Sequence, residues 1–437
     1  VVEELNASPW LVVGPYHSES DWLSLIEYLA GPTGTPFGDK RVSQGRTEPW
    51  SDAFPLIYIE YGNESWLPFF EWQTDPVEYG QFAEHFFTTI KSSPYYPQIA
   101  NKLVFVLNGA LDQSTTDDFG HVAIQHCPSA HMVDVAPYIG GWESEVEFGG
   151  GAINDAGYQE YLLFHASRIK FHTDRHAQSR DTLSALGFDY DLVTYEFGPG
   201  YQLPTGTTPV HHVMEAYGKS LAAGVATMDV MLDLQRNRFF SGNFFEFNGN
   251  TSYATHTAPE AGFRPHPAWQ AVQLANQHAI NPRVYSRALH TPTLFVEGED
   301  EFPNVHAPLL DLHAYRDGDD YTAIILSRSL DNETLVTLHL PFDHASSGTA
   351  HMLTGDPRTN NTSQDLIGIQ SEAFTPVLTG NTYTFPMPPG SIYVLEFTDT
   401  SLDSSLPPQP VVSLAEGQLS PTTQNHVEFH VSFNQIV

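Results

Sequence analysis

The sequence is poor in cysteine and in positive charge. A single cysteine, Cys127, in 437 residues excludes an internal disulfide framework. Only 18 Lys and Arg stand against 52 Asp and Glu, a formal net charge of -34. A field of that sign repels phosphate backbones and anionic headgroups, which argues against nucleic acid as a partner. No apolar run reaches the roughly 20 residues needed to span a bilayer, and Val1 to Leu5 lacks the basic and apolar regions of a signal peptide. There is no Gly-rich phosphate loop and no Gly-x-Ser-x-Gly elbow. His172 and His176 lie four apart on a predicted helix without a Glu-flanked metal motif, and Cys127 has no base paired with it. No metal and no cofactor are therefore expected. The chain does not begin with Met and is expected to be a processed or partial piece of a longer one.

What is present is an alternation of short apolar runs with segments of helical spacing. The stretch from Leu56 to Tyr61 begins as a continuous apolar and β-branched run, the pattern of a strand buried on both faces, and it ends at Gly62-Asn63-Glu64-Ser65-Trp66. Leu192 to Phe197 repeats the design and delivers Glu196 to Gly198-Pro199-Gly200. Further strands are predicted at Trp10–Val13, Leu103–Leu107, Met132–Val135 and Phe239–Phe247, with helices at Trp22–Leu29, Tyr79–Lys91, Gly157–Leu186, Val213–Leu234 and Pro267–Ala279. Ser20 or Asp21 is a candidate cap for the first of these, and Val1 to Ser8 reads as the end of an earlier helix. Strands that alternate with helices imply a parallel sheet with right-handed crossovers.

Six β/α units are legible. The expected fold is a (β/α)8-type TIM barrel, incomplete at its N-terminus, over residues 1–282, in preference to an open doubly wound sheet. From 283 to 400 short β-rich runs and the hairpin turn Asp317-Gly318-Asp319 predict an antiparallel β-sandwich. Residues 401–437 read as a Ser/Pro linker and the start of an immunoglobulin-like module.

In parallel barrels chemistry sits at the C-terminal ends of the strands. Glu64 and Glu196 occupy two such ends, and two carboxylates are the apparatus of a retaining glycosidase. Glu64 is the candidate acid/base, for which a raised pKa is expected, and Glu196 the candidate nucleophile. Asn63 is placed to bind the sugar's 2-hydroxyl, and Tyr138 or Tyr195 to keep Glu196 ionised. Trp50, Trp66, Trp72, Trp142, Tyr201 and Phe247 are candidate stacking surfaces for a sugar ring, and His17, His211 and His212 candidate polar contacts.

These residues resemble those of the clan GH-A glycoside hydrolases, in particular the α-L-arabinofuranosidase-like family 51 group. The resemblance rests on Ile26-Glu27-Tyr28-Leu29, Arg41 to Gly45, Pro49-Trp50, Glu60-Tyr61-Gly62-Asn63-Glu64 and, in the sandwich, Met387-Pro388-Pro389-Gly390-Ser391. It implies that Asn63-Glu64 and Glu196 close the fourth and seventh strands of a barrel, that Tyr138 is the sixth-strand aromatic, and that an N-terminal segment or separate chain supplies the first two strands. The sequence departs from the clan pattern in Ser65-Trp66 after Glu64 and in Phe245-Glu246-Phe247, where many members have Trp. The implied function is cleavage of a plant or algal polysaccharide or oligosaccharide outside the cell, arabinofuranosidase-like or endoglucanase-like. The alternative is a non-catalytic carbohydrate-binding or structural protein on the same scaffold.

Overall fold

The computed structural model describes residues 2–67, 73–140, 153–200, 216–247, 253–279 and 281–400, and the antiparallel strand pair Gln409–Leu414 and Phe429–Asn434. Its first half is built on seven parallel strand segments: β1 Trp10–Val13, β2 Ile57–Tyr61, β3 Leu103–Leu107, β4 Met132–Val135, β5 Tyr138–Ile139, β6 Asp191–Pro199 and β7 Phe239–Phe244. They follow in the order β1-β2-β3-β4-β6, with β7 beyond β6. β5 pairs with the far end of β6. It continues β4 after a break at Ala136-Pro137, where proline has no N–H to give to the ladder. Among the described residues β1 pairs only with β2 and β7 only with β6, so the TIM-like sheet is open between them.

Side-chain alternation divides the sheet into two faces. Ile57, Ile59 and Tyr61 of β2, Phe105 and Leu107 of β3, and Leu192 of β6 belong to the large core shared with the helices. Tyr58, Val106, Met132 and Val193 form a separate small cluster on the other, inner face, joined by Trp10, which stacks on Tyr58 at 5.0 Å. The helices form where capping and apolar stripes coincide. Helix Pro76–Lys91 starts with Asp75 as cap and a proline in its first turn, and buries Tyr79, Ala83, Phe86, Phe87 and Ile90. Helix Glu19–Ala30 is capped by Ser18, in a capping box with Asp21, rather than by Ser20 or Asp21. Residues 2–6 form turns, not the end of a helix.

From Arg283 onward every pairing is antiparallel. β8 Arg283–Val284, β11 Leu310–Asp317, β12 Asp320–Ser327, β14 Gly348–Leu353, β15 Gln370–Phe374 and β17 Ile392–Thr398 make one sheet. β9 Thr293–Val296 pairs with β10 Val305–Pro308, and β13 Thr334–His339 with β16 Thr382–Met387. Gly318, at φ +57, makes the turn between β11 and β12. Ala323, Ile325, Leu395 and Phe397 pack against Val336, Leu338, Phe385 and Met387, forming a β-rich second domain. The alternate residues Ile324, Leu326, Ile392 and Val394 face the other way and join the large core of the first domain. A buried ion group ties the two together: Asp229, on helix Leu221–Arg236, meets Lys170 at 2.5 Å and Arg328 at 3.0 Å.

Candidate active site

The inner face of the sheet turns polar toward the C-terminal ends of its strands. Above Tyr58, Val106 and Met132 by two residues on each strand stand Glu60, Asn108 and Asp134, all buried. Glu60 accepts hydrogen bonds from Trp10 Nε1 at 2.6 Å and Asn108 Nδ2 at 2.5 Å. The amide of Asn108 turns its oxygen the other way, accepting from the Ser65 N–H at 3.2 Å and the Ser65 hydroxyl at 3.0 Å. The turn that presents Glu64 is thereby fastened to Glu60.

That turn needs fastening. Gly62 has φ +79, and a Cβ there would lie 2.5 Å from Ser65 Oγ. Glu64 itself has φ +47, a left-handed conformation that costs a non-glycine residue of order 1 kcal/mol and persists only where the surroundings hold it.

Glu196 reaches the same face through an irregularity in β6. Between the pairs Val135–Thr194 and Tyr138–Gly198, β6 advances four residues while its neighbour advances three. On the other side, Thr194–Gly242 and Phe197–Phe244 are three residues apart on β6 and two on β7. Both neighbours therefore see one extra residue in β6, a bulge that reverses the alternation. Val193 faces inward and Leu192 outward before it, while Phe197 faces outward after it. Adjacent Tyr195 and Glu196 are both turned to the inner face.

The two tyrosines divide the work. The Tyr138 hydroxyl donates to Glu196 at 2.6 Å, as the sequence reading allowed. Tyr195 donates instead to Glu64, so it is a partner of the acid/base candidate rather than of Glu196. Phe245 and Tyr253 hold the ring of Tyr138 at centroid distances of 6.4 and 5.3 Å.

Burial raises the pKa of Glu64; the Tyr195 hydrogen bond offsets part of this, and the nearby charge of Glu196 adds to the rise. Burial raises that of Glu196 too, and the Tyr138 hydrogen bond opposes it. Beneath them the buried pair Glu60 and Asp134 is also shifted upward, first by burial, with Glu60's charge adding to the rise at Asp134. Asp134 accepts from the Gly109 N–H at 3.2 Å through Oδ1, while Oδ2 has no donor among the described residues. An ionised oxygen left so would be costly, and with burial and the charge of Glu60 this holds the Asp134 carboxyl well above the usual carboxylate range. Four carboxyls thus share one face, served in these contacts by neutral donors.

Other sequence candidates fall differently. Asn63 is half-buried in the turn. Trp66 packs partly on the large core, with its Nε1 buried and without a partner among the described residues. Trp50 stacks on Phe54 at 5.6 Å under the Arg46 guanidinium. The carbonyl of the adjacent Ser51 is bound by Lys102, the residue before β3, so Trp50 lies at the end where the strands begin, away from Glu64. His17 follows β1 and is exposed, lining a groove of about 420 Å³ with Val12, Trp22, Leu25 and Tyr28. Phe247 is exposed and packs on His256, Phe263 and Trp269. Trp72, Trp142, Tyr201, His211 and His212 lie outside the described residues. The pair His172 and His176 is engaged by protein groups: His176 with His121 at 2.8 Å and the Leu111 carbonyl at 2.9 Å, His172 with Ser114 at 3.3 Å. Cys127 is buried, and burial pushes its thiol well above the ordinary range, the opposite of an activated nucleophile.

The residues that sequence reasoning passed over are Glu60, Asn108, Asp134 and Tyr253. The signal for two of them was present: a carboxylate in the middle of an otherwise apolar buried strand is rarely idle.

A family model described as the alpha-L-arabinofuranosidase 1 domain matches residues 15–138. No curated protein sequence matches the chain. Among solved structures, the fold is similar to the GH51 α-L-arabinofuranosidase of Thermotoga petrophila, at 17% identity and TM-score 0.69 over 90% of this chain and 76% of that one. It is similar to the GH51 arabinofuranosidase of Xanthomonas axonopodis pv. citri, at 17% identity and TM-score 0.71 over 91% and 77%. The family 51 α-L-arabinofuranosidase of Bifidobacterium longum matches at 19% identity and TM-score 0.67, again over 91% and 77%. The family model matches a stretch of 124 residues, and these solved structures share the fold of this chain.

Proposed function

We propose that the chain is a retaining glycoside hydrolase that removes arabinofuranosyl-type units from a plant or algal polysaccharide or oligosaccharide. The observation that carries the proposal is the pairing of two half-buried glutamates, each held by its own tyrosine, on one face at the ends of β2 and β6. In this reading Glu64, kept protonated by burial and by the charge of Glu196, gives its proton to the leaving oxygen. Glu196, held in its anionic form by the Tyr138 hydroxyl, attacks the anomeric carbon. Once the glycosyl-enzyme has formed, the charge that raised the pKa of Glu64 is gone, and Glu64 acts as base toward the incoming water. Asn63 binds the 2-hydroxyl. No metal or cofactor enters these steps.

Polymeric substrates of this kind lie outside the cell, and we place the enzyme there. The open edge of β1, where Val12 is 51% exposed, supports completion of the barrel by a further strand-bearing segment or chain. The direct test is release of 4-nitrophenol from a panel of aryl glycosides led by the α-L-arabinofuranoside. Glu64→Gln and Glu196→Gln should each abolish turnover of arabinan or arabinoxylan with the fold intact, and normal activity in either would end the assignment.

A further inference from the structure

Three ligand-type side chains from distant segments converge where the parallel-sheet domain meets the sandwich. His278 is the last residue of helix Pro267–His278, His351 lies on β14 and Glu396 on β17. His351 is opposite Val394 in the β14–β17 ladder, so Glu396, two residues on, is its diagonal neighbour on the same face. Val394 and Ile392 of that face belong to the large core, which brings the end of the helix, and His278 with it, against the same face. His278 Nδ1 is 2.9 Å from one oxygen of Glu396 and His351 Nε2 is 3.5 Å from the other. The imidazole centroids are 4.1 Å apart. The remaining nitrogen of His351, Nδ1, is 2.8 Å from the Ser371 hydroxyl on β15, which fixes the ring with Nε2 toward the carboxylate.

We propose that His278, His351 and Glu396 form a divalent transition-metal site of the zinc type that clamps the sandwich to the catalytic domain. Two imidazoles and one carboxylate suit zinc and its neighbours rather than Mg2+ or Ca2+, which take oxygen ligands. Ligand atoms about 2.0–2.1 Å from a common tetrahedral ion stand roughly 3.3 Å from one another, and one ligand atom from each of the three residues lies within 4.8 Å of the other two. At 3.5 Å the His351 nitrogen faces the carboxylate yet is too far for a good hydrogen bond. All three residues are half-buried, so water completes the coordination, and Ser371 is the outer partner that orients a ligating histidine. A second convergence, Asp229, Asp311 and His313, is different in kind. Lys170 and Arg328 already neutralise it, and a metal ion would face two fixed positive charges. Residues 278, 351 and 396 have no local spacing motif, so only the fold brings them together.

The test uses the full chain, stripped with EDTA and exchanged into chelator-free buffer. Titration calorimetry with ZnCl2 should show one site per chain. The unfolding midpoint should rise by about 2–4 °C in excess ZnCl2 and not in MgCl2. His351→Ala should abolish both effects, and Glu396→Gln should weaken binding at least about tenfold, with circular dichroism confirming that each is folded. Glycosidase activity of His351→Ala should be unchanged. Superimposable melting curves with EDTA and ZnCl2, or zinc binding equal in the parent and both variants and so located on others of the 21 histidines, would overturn the proposal.

Discussion

Tyr195, the residue before Glu196 on β6, donates its hydroxyl hydrogen bond across the site to Glu64. One strand thereby supplies the candidate nucleophile and positions the candidate acid. The arrangement is possible because an extra residue in β6 turns both side chains to the same face.

Removal of each tyrosine hydroxyl should move opposite limbs of the pH profile. The Tyr195 bond lowers the pKa of Glu64, so Tyr195→Phe lets that pKa rise further and extends the alkaline limb of kcat/KM upward. The Tyr138 bond lowers the pKa of Glu196, which must be ionised, so Tyr138→Phe shifts the acid limb to higher pH. Tyr138→Phe should lower kcat about 10- to 100-fold, the worth of one hydrogen bond to a charged group, and Tyr195→Phe less, because its partner is the protonated acid. Profiles that do not move, or move together, would count against the assigned roles.

Asn108 connects Glu60 to the turn of Glu64. Asn108→Leu leaves a buried carboxylate oxygen and the Ser65 N–H without their partner. It should cost about 1–3 kcal/mol in stability, read from urea unfolding, and reduce kcat far more than it alters KM. Full activity in a folded Asn108→Leu variant would show that the turn does not depend on the link.

The buried pair predicts a specific pH dependence of stability. Asp134 holds its proton more tightly in the folded protein than in the unfolded chain, where the ordinary value is about 3.9. In that window the folded state binds more protons, so this contribution to stability falls as pH rises, by up to about 1.4 kcal/mol per pH unit. Asp134→Asn lacks the titration. Its stability relative to the parent should therefore increase from pH 5 toward neutrality, and a constant difference across that range would contradict the raised pKa of Asp134.

Much of this was readable in the chain itself. The apolar runs at Leu56–Tyr61 and Leu192–Phe197 announced buried strands, and Glu64 and Glu196 stood out because each ended such a run at a glycine. The change at Arg283 was visible as the loss of helical spacing. What was not readable depended on register and distance. Tyr195 and Glu196 are adjacent, and alternation alone puts them on opposite faces; only the bulge brings both inward. Trp50, expected on a loop at the C-terminal ends of the strands, precedes its strand and so sits at the opposite end of the sheet. Asn108 and Asp134 looked like strand-end and strand-interior residues until the parallel pairing set them beside Glu60.

The central claim is that Glu196 forms a covalent bond to the sugar. A 2-deoxy-2-fluoro arabinofuranosyl fluoride slows breakdown of such an intermediate more than its formation, so the labelled enzyme can be digested and its peptides weighed. One added sugar mass is expected on the peptide containing Glu196, absent in Glu196→Gln. Turnover without any adduct and with inverted anomeric configuration of the product, or an adduct on another residue, would contradict it.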